Sequence, residues 1–423
     1  MKFWLYYFIR SFMELPFRTY FRNKSITGLK NIPKNKPILI CANHAGSFLD
    51  GVVIEYTFRE KVFTLVRGDA FNKPVFNKVL RSMLLLPIYR ARDAEAEKAR
   101  VGNAGTFDEC YELFQKDKKI LIFSEGIAYP EKAMRPVKKG SAGLAADMIK
   151  RSGGEMDLHI VPCGINYSKF GSRDVNLQVS FGQAIPMKQY YAEMIEDDRK
   201  FARDFTPILE EKITELVVEV KGENEEEKEL IHEMLINEYQ DFSTYRSYDS
   251  DSVAIAERLH KVNEANLQAA RSYKDLLEKY GLSDRSLSKL GVNFAAIMLA
   301  LCTLAMSLPV AILLTLIWKI AKKYTNKLVK NVVLFDSVHF GLGLIGSLFL
   351  LIFLIVFTYA IAPDQWTLVW KTIALVFAVI GAPAWFIAFR ELKYFKQALN
   401  FLGLDKQVKE ELKDLRNKVL NQD

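Results

Sequence analysis

The stretch Pro37–Asp50 reads PILICANHAGSFLD. The apolar run PILI has the composition of a buried strand, and the chain then turns through small residues into an apolar helix beginning near Leu49. His44 and Asp50 lie on either side of that turn. Residues six apart on one continuous helix point about 240° from each other at ~3.6 residues per turn. The two side chains therefore meet only if His44 sits in the turn and Asp50 in the helix, with Ala45 and Gly46 permitting close approach. A histidine so placed is a general base for a hydroxyl, and a carboxylate behind it fixes the ring tautomer and stabilises the imidazolium. A hydroxyl bonded to such a histidine attacks a thioester without any serine or cysteine nucleophile, provided the substrate brings the hydroxyl. The alternative is a structural histidine at a strand end.

The surroundings repeat the strand-and-helix pattern. From Ile26 to about Pro186, strands are predicted at Pro37–Cys41, Val62–Val66, Leu84–Ile88, Lys119–Phe123, His159–Asn166 and Asn176–Phe181. Helices are predicted at Leu49–Phe58, Pro74–Ser82, Ala94–Gln115, Ser141–Arg151 and Met187–Glu196. Such alternation specifies an α/β domain with a mostly parallel core sheet.

Three further stretches carry chemistry. Leu86–Asp93, LPIYRARD, closes a strand with Arg90 and Arg92, whose guanidinium groups suit a phosphate. Ile122–Gly140, IFSEGIAYPEKAMRPVKKG, brings Glu125 and Gly126 to a strand end, then Arg135, Lys138 and Lys139, and opens a helix at Gly140-Ser141. Cations beside a helix N-terminus form an anion site, and Glu125 among them can bond a substrate hydroxyl or align an arginine. The alternative for both stretches is a solvated loop. Ile160–Tyr167, IVPCGINY, reads as a buried strand and says little alone.

In order and spacing, the four stretches together resemble the glycerolipid acyltransferase family, which acylates glycerol 3-phosphate or its 1-acyl derivative. Asn43, His44 and Asp50 match its NH-(x)4-D block, and Pro87-Ile88-Tyr89-Arg90 its arginine-ended strand. Phe123, Glu125 and Gly126 match its F-P-E-G block, and Val161-Pro162 its last strand. The resemblance covers roughly residues 20 to 190. There are departures. Five residues, not four, separate His44 from Asp50, a spacing found in a branch that looks related to membrane-bound glycerol-3-phosphate acyltransferases. Ser124 replaces a proline, and Ile127-Ala128 replaces the usual Thr-Arg, so Arg135 or Lys138 must take over the phosphate.

The resemblance implies that His44 deprotonates the acceptor hydroxyl and Asp50 orients His44. Asn43, Ser47, Arg90, Glu125, Gly126, Arg135 and Lys138 are then expected to bind substrate. It implies a thioester on coenzyme A or acyl carrier protein as co-substrate, with no bound cofactor, no metal and no covalent acyl-enzyme. The leading acceptor is 1-acylglycerol 3-phosphate, giving phosphatidic acid. Glycerol 3-phosphate and another lipid acceptor are the alternatives, and a non-enzymatic membrane scaffold is the alternative of a different kind.

Composition bounds these readings. The net charge of +8 favours anionic partners, namely phosphorylated substrates or an acidic membrane surface. No nucleic-acid module is recognisable. Four scattered cysteines without a CxxC and five dispersed histidines argue against a disulfide framework or a zinc site.

Outside the α/β domain, expected at residues 26–200, four segments are expected. Residues 1–25 read as an amphipathic, aromatic-rich helix for the membrane interface, with Arg10, Glu14, Arg18 and Arg22 as a charged ridge. Arg10 and Glu14 interrupt what a signal peptide would need. Residues 201–288 form a charged helical region with solvated faces. Residues 289–390 form a membrane region of three apolar runs, Phe294–Ile317, Phe340–Ala362 and Trp366–Phe389, each near the ~20 residues a crossing needs. Lysine-rich flanks place the second and third as a hairpin with cytoplasmic ends, and the first as a re-entrant pair broken at Pro309. A basic helical tail fills residues 391–423. The catalytic domain is expected on the cytoplasmic face of the membrane.

Overall fold

The computed structural model describes residues 6–7, 10, 17, 20–58, 60–89, 96–170, 175–239, 252–288, 298, 301–302, 304–329, 334–361 and 367–421. Arg90 and Arg92 lie outside the described residues.

One sheet of eight strands forms the centre. Its strands are β1 (Phe21–Thr27), β2 (Ile38–Ala42), β3 (Val62–Arg67), β4 (Leu85–Ile88), β5 (Lys119–Phe123), β6 (His159–Tyr167), β7 (Val175–Phe181) and β8 (Ile185–Pro186). Their order is β1-β7-β6-β2-β5-β3-β4, with β8 beside β6. Pairing is parallel except where β6 meets β7 and β8. The helices of this layer are α1 (Phe48–Thr57), α2 (Pro74–Ser82), α3 (Ala96–Phe114), α4 (Gly140–Arg151), α5 (Tyr191–Glu196) and α6 (Asp198–Thr214). The mostly parallel α/β core expected from the alternation is present.

β2 sits between β5 and β6, and every one of its side chains is buried. Its alternate residues serve opposite cores. Leu39 and Cys41 face Leu144, Met148, Phe205 and Leu209 of α4 and α6. Ile38, Ile40 and Ala42 face Leu49, Val53 and Ile54 of α1. Burial on both faces explains why this stretch is apolar without alternation.

Two boundaries differ from those read off the sequence. Strand β1 occupies Phe21–Thr27, so the last residues of the expected 1–25 helix are strand. β1 is an edge strand paired only with β7, and its polar sequence FRNKSIT hides it from a search for apolar runs. Upstream, Tyr6, Phe17 and Tyr20 are buried against the domain itself. Arg10 donates to the carbonyls of Glu55 and Phe58 at the C-terminal end of α1, where helix carbonyls lack internal partners. Tyr6, Phe17 and Tyr20 thus pack on their own domain, while Tyr7 is exposed. Helix α6 lies beyond the expected boundary at 200, yet Phe201, Phe205, Leu209 and Ile213 complete the sheet's core.

The rest of the chain is helical: α7 (Glu225–Tyr239), α8 (Ser252–His260), α9 (Glu264–Lys279), α10 (Asp284–Ser288), α11 (Leu304–Leu328), α12 (Phe335–Ile361), α13 (Leu368–Gly403) and α14 (Lys406–Leu420). Helices α7 to α10 enclose a core of Ile231, Leu235, Ile255, Ala270 and Tyr273, and α14 closes it with Leu412 and Val419. The tail and the charged region are therefore one packed unit. Helix α11 continues through Pro309, where a break was expected. A proline there removes one amide donor, and the turns on both sides hold the helix together. Gly343 of α12 lets Trp318 of α11 pack against its backbone, since a Cβ would stand 2.3 Å from the indole. Among the described residues one helix, Ser337–Ala360 within α12, is long and apolar enough to cross a membrane.

Candidate active site

The site forms at the C-terminal ends of β2, β5 and β6, where open α/β sheets place their ligands. The Ser124 amide donates to the Ala42 carbonyl at 2.9 Å, which carries the pairing of β2 and β5 past the strand ends. His44 and Glu125 thereby become neighbours, and the His44 amide donates to Glu125 Oε1 at 3.0 Å.

His44 lies in the turn and Asp50 in the first turn of α1, as their meeting requires. His44 Nδ1 is 2.9 Å from Asp50 Oδ2. The same oxygen accepts the Gly46 amide at 2.9 Å, and Oδ1 accepts the Tyr167 hydroxyl at 2.7 Å. Asp50 is fully buried, whereas His44 remains partly exposed. With a carboxylate accepting at Nδ1, the proton resides there and Nε2 is left as the basic nitrogen. Nothing among the described residues bonds to Nε2. The ring is stacked on Phe123, with centroids 3.9 Å apart, which fixes its plane. A Cβ at position 46 would stand 2.6 Å from Asp50 Oδ1, so the turn admits only glycine there.

The remaining expected residues divide by use. Asn43 is buried, and its carboxamide donates to the Ile165 carbonyl at 3.0 Å and accepts the Ile165 amide at 2.7 Å. Both of its polar ends serve β6, so Asn43 frames the site. Ser47 is the N-cap of α1 with φ 57°, and its side chain makes no capping bond. Burial drives the Glu125 carboxyl up to about 7, against the opposing bond from the His44 amide, with the Asp50 charge adding to the rise and Arg135 countering it. Gly126 holds φ +70°. Arg135 is stacked 3.7 Å over Tyr129 and bonds Glu131 at 2.8 Å. Lys138 is exposed just before α4, and Ser141 of α4 shares a hydroxyl bond of 2.9 Å with Ser124.

The loop carrying Arg135 and Lys138 is tied to α6 and to the helical part of the chain beyond it. The Val137 amide donates to Glu210 at 2.8 Å and the Met134 amide to Glu219 at 2.9 Å. The Lys132 carbonyl accepts the Val220 amide at 2.8 Å, and buried Lys132 pairs with Glu229 of α7 at 3.1 Å. Glu131 also pairs with Lys221 at 2.6 Å. Three functional contacts escaped the sequence reading: Tyr167 on Asp50, Phe123 under His44, and the loop's ties to Glu210, Glu219 and Glu229. Tyr167 stood within the fourth stretch, and only the pairing of β2 with β6 reveals what it faces.

Residues 24–166 match the family model described as Acyltransferase. A stretch of 120 residues is 28% identical to the 1-acyl-sn-glycerol-3-phosphate acyltransferase of Borreliella burgdorferi, covering 28% of this chain and 45% of that protein. The chain thus spans less than half the length of that curated relative. It is also similar to the crystal structure of the 1-acyl-sn-glycerophosphate acyltransferase from Thermotoga maritima, at 17% identity and a TM-score of 0.33, over 48% of this chain and 79% of that one.

Proposed function

We propose that this chain is a membrane-bound O-acyltransferase that moves a fatty acyl group from a coenzyme A or acyl-carrier-protein thioester to the free hydroxyl of 1-acylglycerol 3-phosphate, giving phosphatidic acid. The observation that carries this reading is the His44–Asp50 bond of 2.9 Å with Nε2 open. A scaffold has no need of a buried carboxylate with three donors aimed at it and one partly exposed imidazole. In this reading the acceptor hydroxyl bonds to Nε2, which takes its proton as the oxygen attacks the thioester carbonyl. Collapse expels the thiolate, which recovers that proton, and Asp50 stabilises the intervening imidazolium. Arg135 and Lys138 draw the phosphate to the N-terminal end of α4. Arg90 is proposed as a further phosphate ligand from its place in the motif.

Membrane attachment is supported by the apolar residues that α11 and α12 leave exposed, Ile312, Ile320, Phe349 and Val356 among them, which suit lipid rather than water. The docking of α14 on the unit of α7 to α10 holds residues 288 and 406 on one side. That supports an even number of crossings between them, and the lysine-rich flanks of the apolar runs support the cytoplasmic face for the catalytic domain. The altered residues Ile127-Ala128 favour one second reading, a different acceptor such as glycerol 3-phosphate. The deciding experiment supplies acyl-CoA and acylated carrier protein against both acceptors, using purified protein in lipid with His44→Ala as control. Transfer to the 1-acyl acceptor, lost in the variant, is the expected result. Absence of transfer with every pairing would overturn the reading.

A further inference from the structure

Ser337, near the start of α12, reaches into the turn between His44 and Asp50. Its hydroxyl donates to the Gly46 carbonyl at 2.8 Å and accepts the Leu49 amide at 3.2 Å. It is buried, and 291 residues separate it from Gly46 in the chain.

The turn bonds the Leu49 amide to the Gly46 carbonyl at 3.1 Å, and the Ser337 hydroxyl clamps both ends of that bond. The Leu49 amide belongs to the first turn of α1 and is shared between the Gly46 carbonyl and the Ser337 hydroxyl. A serine at the N-cap ordinarily turns its hydroxyl onto such an amide. Ser47 holds the N-cap position but makes no such bond, because its backbone sits at φ 57°, ψ −129°. A non-glycine residue in that region is strained, and it persists only where its surroundings fix it. Ser337 supplies the side-chain cap from another helix, beside the backbone bond to Gly46. Gly46 is consequently held on both sides, its amide on Asp50 Oδ2 and its carbonyl on the Ser337 hydroxyl.

The foot of α12 cannot slide away from this position. Phe340 packs edge-on against Phe17 and Tyr20, with ring centroids 5.9 and 5.4 Å apart, and belongs with Leu49 to one buried core. The helix that carries Ser337 therefore enters the α/β domain as part of its packing.

Resting on the acyl-transfer reading above, we propose that Ser337 is a positioning residue for the His44–Asp50 pair, so that α12, which lies outside the family match, completes the active site. The membrane helix then sets the geometry of the catalytic turn, and the family domain alone is an incomplete enzyme.

The test compares the full-length wild type with Ser337→Ala and Ser337→Thr in lipid, using two readouts. The first is steady-state acyl transfer. Loss of the one hydroxyl is expected to lower kcat about tenfold with both KM values nearly constant, and threonine, which retains the hydroxyl, is expected to restore it. The second readout is amide hydrogen exchange over residues 43–52, which does not depend on the reaction. Exchange is expected to quicken there in Ser337→Ala, while the β5 and β6 peptides stay as in the wild type. Wild-type exchange over 43–52 in the alanine variant would overturn the proposal, as would faster exchange spread evenly over the domain. If the wild type transfers no acyl group, the reaction reading fails and the exchange comparison alone decides whether Ser337 holds the turn.

Discussion

Two buried aspartates in this molecule are each held by a tyrosine hydroxyl. In the α/β domain Asp50 accepts from Tyr167, the Gly46 amide and His44. In the helical unit Asp284 accepts from Tyr273 at 2.9 Å, Asn237 at 3.0 Å and Arg416 at 2.8 Å. The inventories are similar and the uses are opposite. Asp284 is answered by a fixed cation, which ties α14 to α9 and α10. Asp50 is answered by an imidazole whose second nitrogen bonds to none of the described residues, and in the proposed reaction that ring gains and loses a proton. A buried carboxylate with a permanent partner is a rivet, and one whose partner gains and loses charge is part of a reaction site.

The comparison breaks first on His44→Ala and Asp50→Asn. Each is expected to lower kcat about 10²- to 10⁴-fold while leaving thermal unfolding near that of the wild type, since general-base catalysis supplies that range. Asp284→Ala is expected to do the reverse. It leaves Arg416 buried without its counter-charge, and stability should fall by about 3–5 kcal/mol with kcat little changed in protein that remains folded. Denaturation in detergent, run beside the transfer assay, separates the two patterns. If Asp284→Ala abolishes turnover in folded protein, the helical unit has a catalytic part that this comparison denies it.

The sequence made one of these aspartates visible and hid the other. Asp50 stands six residues from His44 across a turn, and the neighbouring strand-end stretches have a fixed order, so local spacing suffices. Glu125 was legible for the same reason, since β2 and β5 pair in register and end together. Asp284 meets Arg416 across more than a hundred residues of chain, and no local pattern couples them. Helix α14 does show its apolar side in Val408, Leu412, Leu415 and Val419. That spacing foretells a buried face but not the partner that buries it. Ser337 and Tyr167 were hidden likewise, because each acts through a contact formed only when distant segments pack. Strand β1 was missed for another reason, its polar edge sequence.

Removing one hydroxyl from each tyrosine sharpens the contrast at smaller scale. Tyr167→Phe takes one of three donors from Asp50 and is expected to lower kcat about tenfold, the worth of one bond to a charged group. Tyr273→Phe is expected to cost about 1.5–3 kcal/mol of stability and nothing in kcat. Measured together, the pair reports whether a bond to a buried carboxylate serves turnover or folding.

The smallest expected effect concerns Glu125, which lies between the two cases. It is buried beside Asp50, bonds only the His44 amide among strong donors, and titrates at about 7 instead of near 4.5. The folded protein therefore holds a proton that the unfolded chain has released. By linkage, this group makes stability fall as pH rises from about 4.5 to about 7, after which its contribution is flat. Glu55, half-buried on α1 and also raised to about 7, adds a slope of the same sign. Glu125→Gln removes only the first contribution. The difference in unfolding free energy between wild type and variant should change steadily over pH 4.5–7 and be constant above it. Parallel pH profiles for wild type and Glu125→Gln would mean that Glu125 is ionised in the folded protein across this range, and that the site tolerates a second buried charge next to Asp50.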